Sequence, residues 1–226
     1  MNNQKTTKFG LANWLTIIRI LLMIPFLITM TISYVYVIEY NTVFHYDKLT
    51  IVSENPHKEL LAALHWTNFI IFSLAMITDF IDGWYARRTK TVSNFGKIFD
   101  PIADKVATVL MLVYLAIMRF TFFPIVIIFS LRDILVDGAR IYAIKKNITV
   151  QANWWGKAKT IVVSFSLVFL SVAGPWLASP TLVNNSNLIT FYLNIPLIIG
   201  AVLSVISGII YMKKYLKNIT KEALIK

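Results

Sequence analysis

Asp79, Asp82, Asp100 and Asp104 have the spacing in this chain with the most chemical potential. On a helix, Asp79, Asp82, Gly83 and Ala86 follow the i, i+3, i+4, i+7 rule and share one face. Asp100 and Asp104 are four apart and share a face of the next helix. If the short 88–97 connection folds the two helices antiparallel, the acidic faces meet. Four carboxylates in so small a space repel one another, and some take up protons. One or two divalent cations remove that conflict, and hard oxygen ligands suit Mg²⁺, Mn²⁺ or Ca²⁺ rather than zinc. Gly83 and Ala86 leave a side-chain-sized gap where a flat ligand such as a nucleotide base can approach the backbone. Taken singly, each feature has a plainer explanation. Asp100 before Pro101 can cap a helix, Asp79 or Asp82 can pair with Arg87, and small residues let helices pack closely. None of these explains the set, because ionisable groups at the ends of apolar spans are costly.

The elements that must position these acids are membrane helices. The chain of 226 residues is 57% hydrophobic and only 15% charged, with a mean hydropathy of +0.66. Soluble domains are roughly 45–50% apolar and about 25% charged. The apolar residues gather in runs of the length needed to cross a hydrocarbon layer, about 20 helical residues. Six spans are expected, at roughly 14–37, 60–82, 98–118, 121–144, 158–178 and 189–212. Phe123-Pro124 opens the fourth, Gly174-Pro175 lies near the end of the fifth, and Asn184 to Asn187 form a polar turn before the sixth. The fold class is therefore all-α, a polytopic membrane protein with six transmembrane helices. Residues 1–12 form an N-terminal segment, 13–213 the membrane domain and 214–226 a basic tail.

Charge placement orients the spans. Lys5, Lys8, Arg87, Arg88, Lys90, Lys97, Lys145, Lys146 and Lys157 fall on one side, with Lys213, Lys214, Lys217, Lys221 and Lys226 of the tail. The other side has only Lys48, Lys58 and Arg119, beside Glu39, Asp47, Glu54 and Glu59. By the positive-inside rule both termini are cytoplasmic, and so is the acidic cluster. The formal charge of +11 is thus a topology signal in a cell-membrane protein, with no nucleic acid as partner. The tail can also attract anionic lipid headgroups. No cysteine is present, which excludes disulfides and thiolate chemistry. His45, His57 and His65 lack metal-ligand spacing, and 38–58 reads as a long external loop.

Asp79-x-x-Asp82-Gly83-x-x-Ala86-Arg87, then Gly96, Asp100 and Asp104, resembles the complete motif of the CDP-alcohol phosphatidyltransferases, with every fixed position and spacing intact. Asn13-Trp14-Leu15-Thr16-Ile17-Ile18-Arg19 is similar to the start of that family's first helix. Arg132-Asp133 through Asp137-Gly138-Ala139-Arg140, and Gly156-Lys157-Ala158-Lys159-Thr160, look like its phosphatidylglycerophosphate synthase branch. Asp133 and Asp137 stand where that branch usually has Glu and Ser. The resemblance implies a two-metal centre of Mg²⁺ or Mn²⁺ held by Asp79, Asp82, Asp100 and Asp104, with Asp104 also the general base. It implies that Gly83, Ala86 and Arg87 bind the CDP part, that Gly96 shapes the adjoining loop, and that the protein is a homodimer.

The substrates implied are CDP-diacylglycerol and sn-glycerol 3-phosphate. The acceptor carries a phosphate, and Arg132, Arg140, Lys157 and Lys159 are the cations expected to bind it. Arg132 and Arg140 are eight apart and lie on nearly the same helix face. The plainer account is snorkelling of long basic chains to the interface. Asp133 and Asp137 would pair with these cations and support the pocket. Inositol phosphate, serine or phosphatidylglycerol are alternative acceptors. A cation-coupled transporter is the rival from another class, although its acids would sit at midplane in two repeated halves.

Overall fold

The computed structural model describes residues 10–39, 45–47, 50–52, 57–89, 94–145, 154–177 and 186–215. They form six helices: α1 (Leu11–Glu39), α2 (Lys58–Thr89), α3 (Asn94–Ile117), α4 (Phe123–Lys145), α5 (Trp154–Leu177) and α6 (Ser186–Tyr215). Two short strands, β1 (His45–Asp47) and β2 (Thr50–Val52), pair in the segment expected to be a loop. The expected N-terminal segment, apart from its last residues, and the basic tail beyond Tyr215 lie outside the described residues. So do Asn184 and Asn185, while Ser186 and Asn187 begin α6 rather than a turn.

Among the described residues, four helices are long and apolar enough to cross a membrane, at Asn13–Val37, Glu59–Trp84, Trp154–Gly174 and Leu188–Tyr215. In α3 and α4 the ionisable residues enter the helix itself, among them Asp100 and Asp104 in α3 and Arg132, Asp133, Asp137 and Arg140 in α4. Exposed faces carry large apolar residues: Leu21, Ile24 and Ile28 on α1, Ile70, Leu74 and Ile77 on α2, and Ile199, Val202 and Val205 on α6. Many of the polar side chains instead turn inward, including Asn13, Thr16, Arg19, Ser33, His65 and Asn68. That distribution fits helices whose solvent is lipid, where polar groups find partners inside the protein.

The helices are longer than the apolar runs. The second helix continues through Gly83 to Thr89, and the third begins at Asn94 rather than near residue 98, so the connection shrinks to 90–93. A hydropathy window marks only the apolar stretch, whereas helical hydrogen bonding continues into polar residues beyond it. Pro101 consequently lies inside α3, and Asp100 is not its cap.

The chain divides into two compact units, one holding α1, α2 and α3 as far as Tyr114, the other running from Leu115 through α4, α5 and α6. In the first, the Thr29 hydroxyl of α1 donates to Asn68 Oδ1 of α2 at 2.6 Å, and His65 of α2 meets the Tyr114 hydroxyl of α3 at 3.2 Å. The buried Phe26 ring packs edge-on against Tyr114. These contacts tie all three helices of the unit together.

In the second unit the turn between α3 and α4 is pinned from α6. Arg119 has a φ of 60°, a backbone conformation that side chains rarely adopt outside glycine. Asn194 Nδ2 donates to the Phe120 carbonyl at 2.7 Å, and the Thr121 hydroxyl donates to Asn194 Oδ1 at 2.7 Å. The Phe120 ring also fills the space beside Gly174, where a Cβ would lie 2.9 Å from it. Replacing Asn194 with Leu should leave the Phe120 carbonyl and Thr121 hydroxyl buried without this partner. It should cost about 1–3 kcal/mol. Thermal unfolding in detergent measures this, and an unchanged melting temperature would show that Asn194 does not hold the turn.

Candidate active site

Three helices of the first unit build the acidic site. Asn13, Thr16 and Arg19 are buried on one face of α1, each about one turn from the next. Arg19 is only 1% exposed, and its guanidinium bridges two carboxylates of α2. Nη1 donates to Asp79 Oδ1 and Nη2 to Asp82 Oδ2, each at 2.5 Å. The Thr16 hydroxyl donates to Asp100 Oδ1 of α3 at 2.6 Å. Asp79 and Asp100 both lie near enough to Asp82 for their charges to act on it. Asp79 and Asp82 thus share one guanidinium of α1, and Asp100 accepts from the same face of that helix.

The other expected members are placed less fully. Asp104 is half-buried one turn beyond Asp100 on α3, and the Thr108 hydroxyl donates to its backbone carbonyl at 2.9 Å. Gly83 is half-buried beside Asp82, and Gly96 is buried in the first turn of α3. Ala86 and Arg87 lie on α2, but their side chains fall outside the described residues. Arg19 and Thr16 were quoted above only as part of a motif, with no role. The available signal was an arginine inside an otherwise apolar run, since such a charge requires a partner.

The chemistry of the donors fits a hard divalent cation: all four are carboxylates, and Asp79 and Asp100 each act electrostatically on Asp82. As placed, no three acidic or histidine side chains among the described residues enclose a position for an ion. The Arg19 guanidinium stands between two of the donors, Asp79 and Asp82.

The second unit holds a cationic group of its own. Arg132 of α4 donates from Nε to the Ser204 carbonyl of α6 at 3.0 Å, from Nη1 to Asp133 Oδ1 at 2.7 Å, and from Nη2 to Ser207 Oγ at 2.5 Å. Gly208 makes room for it, since a Cβ there would lie 3.1 Å from Arg132 Cγ. Lys159 of α5 is buried and reaches both oxygens of Asp133, at 2.9 and 3.0 Å. Asp133 therefore pairs with both cations, as expected. One carboxylate joins α4 to α5, and Arg132 joins α4 to α6. Arg140 lies 5.1 Å from the centre of the Tyr211 ring, and its Nε is buried with no hydrogen-bond partner among the described residues. Lys157 is exposed on the first turn of α5. The four cations expected to act together are thus of two kinds: Arg132 and Lys159 are bound into the helix packing, whereas Lys157 faces outward and Arg140 rests on an aromatic ring. Changing Asp133 to Asn should leave the buried Lys159 ammonium without its counter-charge. Breaking such a pair costs about 3–5 kcal/mol, which chemical or thermal unfolding in detergent will read.

Residues 9–206 match the sequence pattern described as CDP-alcohol phosphatidyltransferase. A Mycoplasma genitalium protein named CDP-diacylglycerol–glycerol-3-phosphate 3-phosphatidyltransferase is 36% identical over 215 residues, covering 91% of this chain and 86% of its own. A Mycoplasma pneumoniae protein of the same name is 31% identical over 218 residues, covering 95% and 91%. A Bacillus subtilis protein, again of that name, is 33% identical over 154 residues, covering 67% and 71%. The intact Asp79 to Asp104 pattern, its meeting at Asp82, and a match over most of the length all agree. This chain belongs to the CDP-alcohol phosphatidyltransferase family.

Proposed function

We infer that this protein transfers the phosphatidyl group of CDP-diacylglycerol to sn-glycerol 3-phosphate, giving phosphatidylglycerol phosphate and CMP. The observation that carries the reading is the acidic cluster of α2 and α3, in a chain matched over nearly its whole length by relatives named for that reaction. The three-helix unit supplies the carboxylates. The acceptor hydroxyl attacks the phosphorus that bears the diacylglycerol, the phosphorus–oxygen bond to CMP breaks, and the hydroxyl proton passes to a carboxylate. Asp104 is the base in this reading, and a positioned base contributes roughly 10²–10⁴-fold. Asp79, Asp82, Asp100 and Asp104 would hold two divalent ions, Mg²⁺ or Mn²⁺. Bound there, such ions stabilise the attacking and leaving oxygens and neutralise the diphosphate.

Gly83, Ala86 and Arg87 receive the CDP part, with Gly96 shaping the backbone beside it. Arg140 and Lys157 supply charge for the acceptor phosphate, and Arg132 and Lys159 hold the helices that carry them as well as adding to that charge. Charge asymmetry supports six spans, cytoplasmic termini and a site on the cytoplasmic side of the cell membrane. A homodimer is in keeping with the family resemblance.

An assay of CMP release by purified protein, with CDP-diacylglycerol, Mg²⁺ and a panel of phosphorylated and unphosphorylated acceptors, tests the reading. Glycerol 3-phosphate should be the best acceptor. Turnover with serine and none with glycerol 3-phosphate would overturn the assignment. Chelation with EDTA should abolish turnover, and Mg²⁺ or Mn²⁺ should restore it. Asp104→Asn should lower kcat by roughly 10²–10⁴-fold, and full turnover in that variant would remove Asp104 as the base.

A further inference from the structure

Among the described residues, Arg19 is a fully buried charge to which the reaction assigns no task. Arg19 is among the largest fully buried side chains, and it reaches Asp79 and Asp82 through separate nitrogens. These are the two α2 carboxylates assigned above to a divalent ion. With Arg19, they leave a single net negative charge, to which neighbouring Asp100 adds. A divalent ion drawn to the same pair would meet a fixed positive charge already engaged with one oxygen of each carboxylate. Repulsion between the two cations acts through a poorly screened interior. The Arg19 Nε is buried with no hydrogen-bond partner among the described residues. A clamp with an unsatisfied donor is more easily loosened than one whose donors are all paired.

We propose that Arg19 is a resident counter-ion that competes with the divalent cation for Asp79 and Asp82, so that the cation binds weakly until a diphosphate-bearing substrate supplies further negative charge. The diphosphate oxygens can face both cations and offset the repulsion between them. Arg19 thereby makes metal binding and nucleotide binding cooperative, and its own contact with the carboxylates keeps the pair aligned. The proposal rests on the reading that Asp79 and Asp82 hold a divalent ion, and the test separates the two.

Binding of Mn²⁺ to the full-length protein in phosphatidylcholine nanodiscs can be followed by the electron paramagnetic resonance of free Mn²⁺. Titrations are run without nucleotide and with CDP, each corrected by a protein-free control. Arg19→Gln keeps hydrogen-bonding capacity and removes the charge. It should bind Mn²⁺ more tightly than wild type without nucleotide, by roughly 5- to 150-fold, the range of ordinary coupling between sites. Its further gain on adding CDP should be smaller than the wild-type gain. Equal or weaker Mn²⁺ binding by Arg19→Gln, or an undiminished gain with CDP, would overturn the proposal. If that variant does not fold, Arg19→Lys carries the test. A lysine keeps the charge but cannot span both carboxylates, so Mn²⁺ affinity should rise by a smaller factor, and no rise would again overturn it. Asp82→Asn distinguishes the underlying reading. If wild type and Asp82→Asn bind Mn²⁺ alike, with and without CDP, the carboxylates are not its ligands and the metal centre itself fails.

Discussion

A charge carried into the apolar part of a membrane helix must meet an opposite charge inside the protein, and the arrangement of the first unit follows from that requirement. Arg19 has no water to turn to, being 1% exposed on a helix whose outer face is Leu21, Ile24 and Ile28. Its two bonds to Asp79 and Asp82 fix the rotation of α1 against α2. The bond from Thr16 to Asp100 then brings α3 to the same place. Three helices are thus registered by polar contacts rather than by apolar burial, since lipid offers little drive for one apolar helix surface to leave it for another.

The second unit solves the same problem with the charges reversed. There one buried carboxylate, Asp133, satisfies two cations from α4 and α5, and the guanidinium of Arg132 extends the linkage to the Ser204 carbonyl and Ser207 hydroxyl of α6. Each unit therefore contains a small ionic group, one weighted toward acid and the other toward base.

The reaction class was legible in the sequence. The spacing of Asp79, Asp82, Asp100 and Asp104 required a shared face on each helix, because helical periodicity is a local property. The apolar runs located six helices for the same reason, and a family motif with its spacing intact named the reaction class. The sequence left other things open because they depend on residues distant along the chain. Nothing near Arg19 announces that its partners lie 60 and 63 residues away, and the Thr16 bond to Asp100 spans 84. Hydropathy also stopped short of the true helix ends, and so suggested a cap at Asp100 where the helix in fact runs through Pro101. Only the tertiary packing decided which charges neutralise which. The physical reason is that buried pairing is settled by the helix faces that meet, whereas residue spacing determines only which side chains share a face.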